Sequence, residues 1–187
     1  RFGADLPKQF CLMAGRPVIV HTIEAMRRAS GPDDRIVVAI SAPMIPVWEK
    51  IEVAYGPTGA AMIAAGGPTR AATVANALRA TARMESDVIT IHDGARPLIT
   101  PAVVDRLVEA ASRPGSCGAI PVVELTDSIR RLLPGGGTEA VARSGYRAVQ
   151  TPQAFPARLL RVAYDAADPS DPCLLYTSPS PRDRTRS

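Results

Sequence analysis

The chain has 187 residues, 46% of them hydrophobic and 21% charged, which is enough for one compact domain with a buried core. Its 22 basic and 18 acidic residues leave a net charge of +4 and are interleaved, so no basic block indicates nucleic acid. No apolar run reaches the roughly 18 residues that a membrane span needs. Three cysteines without a Cys-x-x-Cys pair, and two histidines, disfavour a disulfide framework or a Cys/His metal centre. These counts favour a reducing, cytoplasmic setting.

Apolar spacing predicts helices that alternate with short strands. The helix from Pro17 ends at the Gly31-Pro32 stop, and Thr100 occupies an expected N-cap with Pro101 at the first helical position. The predicted helices cover 17–30, 43–54 (a weaker pattern), 69–83, a segment from 100, and 156–167. Between them, the predicted strands cover 35–41, 60–65, 87–92 and 117–123. This alternation predicts an α/β fold with a mostly parallel sheet.

Two stretches of the chain depart from this alternation. Residues 124–149 have no long helical pattern, and three successive glycines at 135–137 predict a hairpin-like excursion. From Asp168 to Ser187 helical periodicity stops and proline, serine and arginine dominate. That segment is either a disordered tail or, as we favour, a stretch resembling translated sequencing-adapter read-through, and we leave it out of the fold. The predicted domain therefore spans residues 1–167.

Candidate chemistry lies where the predicted strands end, because ligands of α/β sheets bind at the carboxyl ends of strands. Asp93 follows a buried strand, and a single carboxylate there suits Mg²⁺, which is commonly coordinated by one or two carboxylates together with substrate phosphate oxygens. The alternative is that Asp93 only forms an Asx turn. Gly66 and Gly67, before a helix, allow either an ordinary turn or close approach of a base or sugar. Lys8, one of two lysines, is by itself equally compatible with a solvated loop.

Taken together and in order, these segments resemble one enzyme family. The blocks are Arg1-Phe-Gly-Ala-Asp-Leu-Pro-Lys-Gln-Phe10, Gly15-Arg-Pro-Val18, Gly66-Gly-Pro-Thr-Arg70 with Val74-Ala-Asn-Ala-Leu78, His92-Asp-Gly-Ala-Arg-Pro97, Thr126-Asp-Ser128 and Val149-Gln-Thr-Pro-Gln-Ala-Phe155. Residues 1–167 resemble the 2-C-methyl-D-erythritol 4-phosphate cytidylyltransferases. The resemblance implies a Rossmann-like, three-layer nucleotidyltransferase fold with a protruding β-arm. It also implies transfer of a cytidylyl group from CTP to methylerythritol phosphate, with release of pyrophosphate, in non-mevalonate isoprenoid synthesis.

The resemblance also assigns roles to residues. Arg1 and Lys8 match catalytic cations, and Asp93 matches the carboxylate that holds Mg²⁺, with Mn²⁺ as the alternative metal. Gly67, Thr73 and Arg96 fall where the family contacts the nucleotide. Positions that grip the substrate phosphate correspond to Ser128, Arg143 and Thr151. The arm over 124–149 is expected to cross to a second subunit, which implies a homodimer with neither nucleic-acid nor membrane partners.

Departures from the family pattern leave alternatives open. The family's glycine-rich loop and its strand would precede Arg1, and a further lysine would follow in a C-terminal segment, so we expect the 187-residue chain alone to be inactive. Gly94 stands where alanine is common. A ribitol 5-phosphate cytidylyltransferase shares the fold and metal site, and a non-catalytic CTP-binding module shares the nucleotide site. A nucleic-acid-binding protein is disfavoured because basic clusters and aromatic stacking platforms are missing.

Overall fold

A computed structural model describes residues 6–166 of the chain. Helices and strands alternate over most of this range, as the apolar spacing predicts. The helices are α1 (Val18–Arg28), α2 (Ile45–Tyr55), α3 (Arg70–Ala80), α4 (Pro101–Ser112) and α5 (Ala157–Ala166). The strands are β1 (Leu12–Met13), β2 (Arg16–Pro17), β3 (Val37–Ile40), β4 (Met62–Ala65), β5 (Val88–Ile91), β6 (Val122–Glu124), β7 (Ile129–Leu133), β8 (Gly137–Val141), β9 (Arg147–Val149) and β10 (Gln153–Pro156). Short 3₁₀ helices cover Lys8–Phe10, Ala42–Met44 and Arg143–Gly145.

Strand pairing is more antiparallel than the sequence predicts. β3 and β4 pair in parallel because α2 returns the chain to the same end of the sheet. β5 pairs antiparallel with β10, and the remaining ladders between described residues, β1–β2, β6–β9 and β7–β8, are antiparallel as well. The α/β class is confirmed, but within residues 6–166 its parallel part is confined to β3 and β4.

The predicted strand over 117–123 is wrong as one continuous element. Ala119 forms an isolated antiparallel bridge with Ala154, and only β6 then pairs as a strand. Gly118 has φ +149°, which turns the chain, and Pro121 has no N–H to donate to a ladder. The predicted helix from Pro156 begins one residue later, at Ala157, because Pro156 is the last residue of β10.

The main core lies where α1 and α2 pack on β3. Its buried residues are Phe10, Ile19, Val20, Ile23, Val38, Ile40, Trp48 and Ile51. A smaller cluster of Leu107, Ala111 and Ala154 joins α4 to β10. The first cluster reaches the turn after β5, because the Ile19 side chain lies 3.7 Å from the position a Cβ would take on Gly94. The core therefore supports the loop that carries Asp93.

The predicted hairpin excursion is confirmed as a two-stranded arm made of β7 and β8. Gly135 and Gly136 form its turn with φ +88° and +98°, a backbone region that favours glycine. Most of the arm is exposed, and Leu132 is 81% accessible. Over residues 6–166, no helix is long and apolar enough to cross a membrane.

Candidate active site

The turn after β5 holds an aspartate between two arginines. Oδ2 of Asp93 lies 2.9 Å from Nε of Arg96, and Oδ1 lies 3.1 Å from a terminal nitrogen of Arg70. Arg96 also donates its N–H to the carbonyl of Asp93 at 3.1 Å, which closes the turn, and a side-chain N–H to Gln150. The Asp93 side chain is 34% exposed, so the two cations leave it accessible. Two positive charges against one negative charge favour an anionic ligand here.

A second contact joins this turn to the segment before β10. The Thr151 hydroxyl lies 3.0 Å from Nδ1 of His92 and accepts the N–H of Asp93 at 3.3 Å. Nε2 of His92 lies 2.9 Å from the carbonyl of Arg96, which can only accept, so we assign the imidazole proton to Nε2 and the Thr151 proton to the bond with Nδ1. Burial lowers the pKa of His92, which favours this neutral form. The network fixes the carboxylate turn against the segment that leads into β10.

The glycine turn after β4 is built around Thr73. The Thr73 hydroxyl accepts the N–H of Gly67 at 3.0 Å and lies 2.9 Å from the carbonyl of Thr69, to which it donates. A Cβ on Gly67 would lie 2.5 Å from the Cβ of Ala72, so glycine is required for packing against α3. The sequence offered either a plain turn or close approach of a ligand, and helix packing is a third reason that it did not reveal.

Lys8 lies in the first 3₁₀ helix, exposed, with Phe10 of the same turn buried in the main core. That 3₁₀ helix packs on α1, and the α1 residue Thr22 donates its hydroxyl to the carbonyl of Gly94 at 3.0 Å. Lys8 and Asp93 therefore both belong to segments that pack on α1. Arg1, the other predicted catalytic cation, lies outside the described residues.

The predicted phosphate-gripping residues divide between two places. Thr151 belongs to the Asp93 turn network, where its hydroxyl already donates to His92. Arg143 lies at the base of the arm and donates to the carbonyl of Thr126, two residues before Ser128. The structure thus brings Arg143 close to the Thr126–Ser128 segment of the arm.

The side-chain ligands available near Asp93 determine what kind of metal site the protein can form by itself. The described residues contain no group of three or more His, Cys, Asp or Glu side chains that could hold a metal. A single accessible carboxylate fits Mg²⁺, which keeps several waters and takes its other ligands from substrate phosphates. Asp93 therefore fits a divalent cation that arrives with a polyphosphate, and does not form an all-protein cage.

Three side chains of this site were quoted in the sequence blocks but given no role. They are Arg70, Gln150 and His92, each of which contacts Asp93 or Arg96, or the network that holds them. The available signal was position, because each of them adjoins a strand end that carries a predicted site residue. Their partners could not be read from the sequence, since the contacts join residues 23 to 59 positions apart.

Comparison with known proteins assigns the chain to a family. The family model described as 2-C-methyl-D-erythritol 4-phosphate cytidylyltransferase matches residues 1–177. The chain belongs to this family. It is 35% identical over 164 residues to the 2-C-methyl-D-erythritol 4-phosphate cytidylyltransferase of Bacteroides thetaiotaomicron, covering 88% of the chain and 72% of that relative. It is 38% identical over 175 residues to the one from Ralstonia nicotianae, covering 89% and 68%.

Solved structures of the same family share the fold. A crystal structure of a 4-diphosphocytidyl-2C-methyl-D-erythritol synthase superposes with a TM-score of 0.71 at 31% identity, covering 87% of this chain and 76% of that one. The 2-C-methyl-D-erythritol 4-phosphate cytidylyltransferase from Thermus thermophilus superposes with a TM-score of 0.65 at 32% identity, covering 85% and 70%. These neighbours confirm the predicted nucleotidyltransferase fold, including its Rossmann-like class.

Proposed function

We propose that this chain, as a member of a cytidylyltransferase family, transfers the cytidylyl group of CTP to 2-C-methyl-D-erythritol 4-phosphate and releases pyrophosphate. The product, 4-diphosphocytidyl-2-C-methyl-D-erythritol, is an intermediate of non-mevalonate isoprenoid synthesis. The structural observation that carries the proposal is the Asp93 carboxylate, held between two arginines at the end of β5 and open to solvent. A cytoplasmic location stays a prediction from the sequence.

The reaction asks mainly for positioning and charge stabilisation. An oxygen of the substrate phosphate, already anionic at neutral pH, attacks the α-phosphorus of CTP. The new P–O bond forms while the bond from the α-phosphorus to the α,β-bridging oxygen breaks, and pyrophosphate leaves with that electron pair. No general base is needed, because the nucleophile carries no proton to remove. The barrier lies in bringing two anions together, which fixed cations lower.

In this scheme the positively charged side chains of the chain supply most of the stabilisation of the reacting phosphates. Lys8 and Arg1 stabilise the charge that develops around the α-phosphorus, and Arg96 binds nucleotide phosphate from the Asp93 turn. Asp93 holds the divalent cation, Mg²⁺ or Mn²⁺, which when bound neutralises triphosphate charge. Support comes from the Asp93 turn itself, where Arg96 is fixed by its own backbone and by Gln150.

We place the nucleotide base at the glycine turn. Thr73 holds the turn by accepting the N–H of Gly67, so it positions the backbone and need not bind the nucleotide directly. The α3 helix begins beside this turn, and its N-terminal end favours anionic groups. Gly67 and Thr73 therefore act together as one backbone platform.

We assign the substrate phosphate to Ser128, Arg143 and Thr151, with the arm reaching a second copy of the chain. The exposed β7–β8 ribbon supports this assignment, because isolated two-stranded ribbons are marginal in water and gain stability from a partner surface. Leu132 on β7 is the most exposed large apolar side chain of the arm. A homodimer would cover it and place arm residues near a neighbouring active site.

Oligomeric state tests the dimer. We expect light scattering after gel filtration to give a dimer, and Leu132→Lys to shift it toward monomer. Val53→Lys is the matched control, since Val53 on α2 is 87% exposed and lies outside the arm. A chain that is monomeric at micromolar concentration, or a Leu132→Lys variant that stays dimeric, contradicts the arm-mediated dimer.

The reaction itself is tested in a hybrid enzyme, in which residues 6–166 replace the matched segment of the Bacteroides thetaiotaomicron relative. The relative supplies the residues on either side of this segment, because the match covers 72% of its length. Pyrophosphate release is measured with CTP and either methylerythritol phosphate or ribitol 5-phosphate, with the relative as positive control. We expect turnover with the first acceptor. Turnover with the ribitol compound alone, or CTP binding without turnover by a folded hybrid, refutes the proposal in favour of the corresponding alternative.

A further inference from the structure

His92 contacts both the Asp93 turn and the segment before β10, and the proposed reaction gives it no role. It is the first residue after β5. Its Nε2 lies 2.9 Å from the carbonyl oxygen of Arg96, at the far end of the turn, and its Nδ1 lies 3.0 Å from the Thr151 hydroxyl oxygen. One imidazole ring therefore joins the end of the turn to a segment that is distant in sequence.

The pairing of β5 with β10 explains why Thr151 reaches this turn. Gln153 pairs with Ile91, and continuing this antiparallel register by two residues places Thr151 opposite Asp93. Pro152, the residue between Thr151 and Gln153, has no N–H to donate to a ladder. The Thr151 side chain extends the pairing instead, because its hydroxyl oxygen accepts the N–H of Asp93 at 3.3 Å. Thr151 is 7% exposed, so water competes little for this bond.

The single proton of the Thr151 hydroxyl has its direction set by His92. The carbonyl of Arg96 can only accept, so Nε2 carries the ring proton and Nδ1 is left as an acceptor. The hydroxyl donates to Nδ1, and its oxygen is then available to accept the Asp93 N–H. Without an acceptor at Nδ1, the hydroxyl would be free to rotate its proton toward the Asp93 N–H, and that bond would be lost.

Resting on the roles that the proposed function gives to Asp93 and Arg96, we propose that His92 is a positioning residue of this site. Its Nδ1 orients the Thr151 hydroxyl, and the hydroxyl holds the backbone from which the Asp93 carboxylate projects. His92 touches no reacting atom and acts through Thr151. Because the hydroxyl both donates to Nδ1 and accepts from Asp93, any contact between Thr151 and a substrate phosphate would be made by its backbone N–H.

Asparagine and glutamine separate the two nitrogens of His92. The side-chain oxygen of asparagine lies near the place of Nδ1 and can accept the Thr151 proton, whereas the amide of glutamine reaches the place of Nε2 and can donate to the Arg96 carbonyl. In the hybrid enzyme we expect His92→Gln to lower kcat about tenfold, the scale of one or two hydrogen bonds, and His92→Asn to stay within about threefold of wild type. Equal losses in the two variants overturn the proposal.

His21→Gln is the matched control for these variants. His21 is the only other histidine of the chain, and its Nε2 lies 2.8 Å from the carbonyl of Met13 in β1. We expect this control to keep the wild-type kcat. Trp48 emission verifies that each variant is folded.

A double-mutant cycle tests whether His92 acts through Thr151. Thr151→Val removes the hydroxyl and keeps the side-chain shape, so it should lower kcat about tenfold while KM for methylerythritol phosphate stays within about twofold of wild type. Adding His92→Gln should then cause no further loss. Additive losses, about a hundredfold together, mean that His92 acts by packing alone and overturn the proposal. A large rise in KM for methylerythritol phosphate in Thr151→Val overturns it too, because the hydroxyl would then bind the phosphate.

Nitrogen-15 NMR of histidine in the 187-residue chain tests the arrangement without activity. We expect His92 to carry its proton on Nε2, and Thr151→Val to shift the Nδ1 signal because the accepted bond is lost; His21→Gln identifies which signals belong to His92. A proton on Nδ1, or an Nδ1 signal that Thr151→Val does not move, overturns the proposal. If these results hold while the wild-type hybrid turns over neither acceptor, the proposed function fails and the arrangement of His92 with Thr151 stands.

Discussion

Replacing Gly67 by alanine tests whether the glycine turn is fixed by helix packing. The added Cβ would lie 2.5 Å from the Cβ of Ala72 and 2.9 Å from its carbonyl carbon. Carbon atoms prefer about 3.5–4.0 Å, so the turn or the first turn of α3 must move by about 1 Å. That helix turn is held by Thr69, which accepts the N–H of Ala72 at 3.0 Å, and by the bond from Gly67 to Thr73.

The expected loss of stability follows from these contacts. Overpacking costs about 1–3 kcal/mol, and each strained hydrogen bond adds about 1 kcal/mol. We therefore expect Gly67→Ala to lower the free energy of unfolding by about 3 kcal/mol. A typical domain has an unfolding free energy of about 5–15 kcal/mol, so the variant should remain folded.

Denaturant unfolding followed by Trp48 fluorescence measures this change. Trp48 is the only tryptophan and is 3% exposed in the main core. Gly145→Ala is the matched control, because nothing lies within 4 Å of the position its Cβ would take. We expect that control to stay within about 0.5 kcal/mol of wild type.

A double variant isolates the clash from other effects. Ala72→Gly removes the nearest atom, at a helix-propensity cost of about 1 kcal/mol. If the clash is the cause, combining it with Gly67→Ala costs less than the two changes added. The reasoning is wrong if Gly67→Ala is as stable as Gly145→Ala and loses only CTP affinity, since glycine would then serve ligand approach alone.

Three further changes probe separate parts of the chain. Lys8→Ala in the hybrid enzyme should lower kcat about a hundredfold with CTP binding retained, whereas Lys50→Ala should not; equal kcat values contradict the catalytic role. Arg161 donates to the carbonyls of Leu78 and Thr81 at the end of α3, so Arg161→Gln should cost about 2 kcal/mol in denaturant unfolding, and exposed Arg158→Gln should cost little. Burial raises the pKa of Tyr164 to about 12, so its neutral form stabilises the fold below about pH 10 and this contribution is lost as the pH rises toward 12. The unfolding free energy of Tyr164→Phe should therefore fall less over that interval; parallel curves would contradict the shift.

Local signals were sufficient for the helices. Pro101 begins α4 as predicted, and Thr69 caps α3 with its side chain. Thr100 occupies the N-cap position, but its side chain makes no capping hydrogen bond. The residue type therefore predicts where a helix begins more reliably than it predicts a side-chain capping bond. Helix starts depend on neighbours within a turn, so sequence spacing carries them, whereas α3 ends at Ala80, three residues before the predicted end.

Strand β10 shows where local signals fail. Gln153 and Ala154 are both 0% exposed, although neither a polar residue nor a small one indicates a buried strand. Their burial comes from pairing with β5 and from α4, contacts that span much of the chain. The candidate active site shows the same division: the position of Asp93 could be predicted from the strand before it, but its ion pair with Arg70 depends on tertiary structure.

The segment that carries the arm begins and ends at the Asp93 turn, because Arg96 and Gln150 are in contact, and this has a consequence for the length of the arm. Arg96 donates a side-chain hydrogen bond to Gln150, which lies 54 positions along the chain, so the segment between them forms a closed loop. The entropy of closing such a loop grows only logarithmically, and doubling its length costs about 0.6 kcal/mol. Changes in the length of the β7–β8 ribbon therefore cost little closure entropy and leave the Arg96–Gln150 contact, and with it the setting of Asp93, in place.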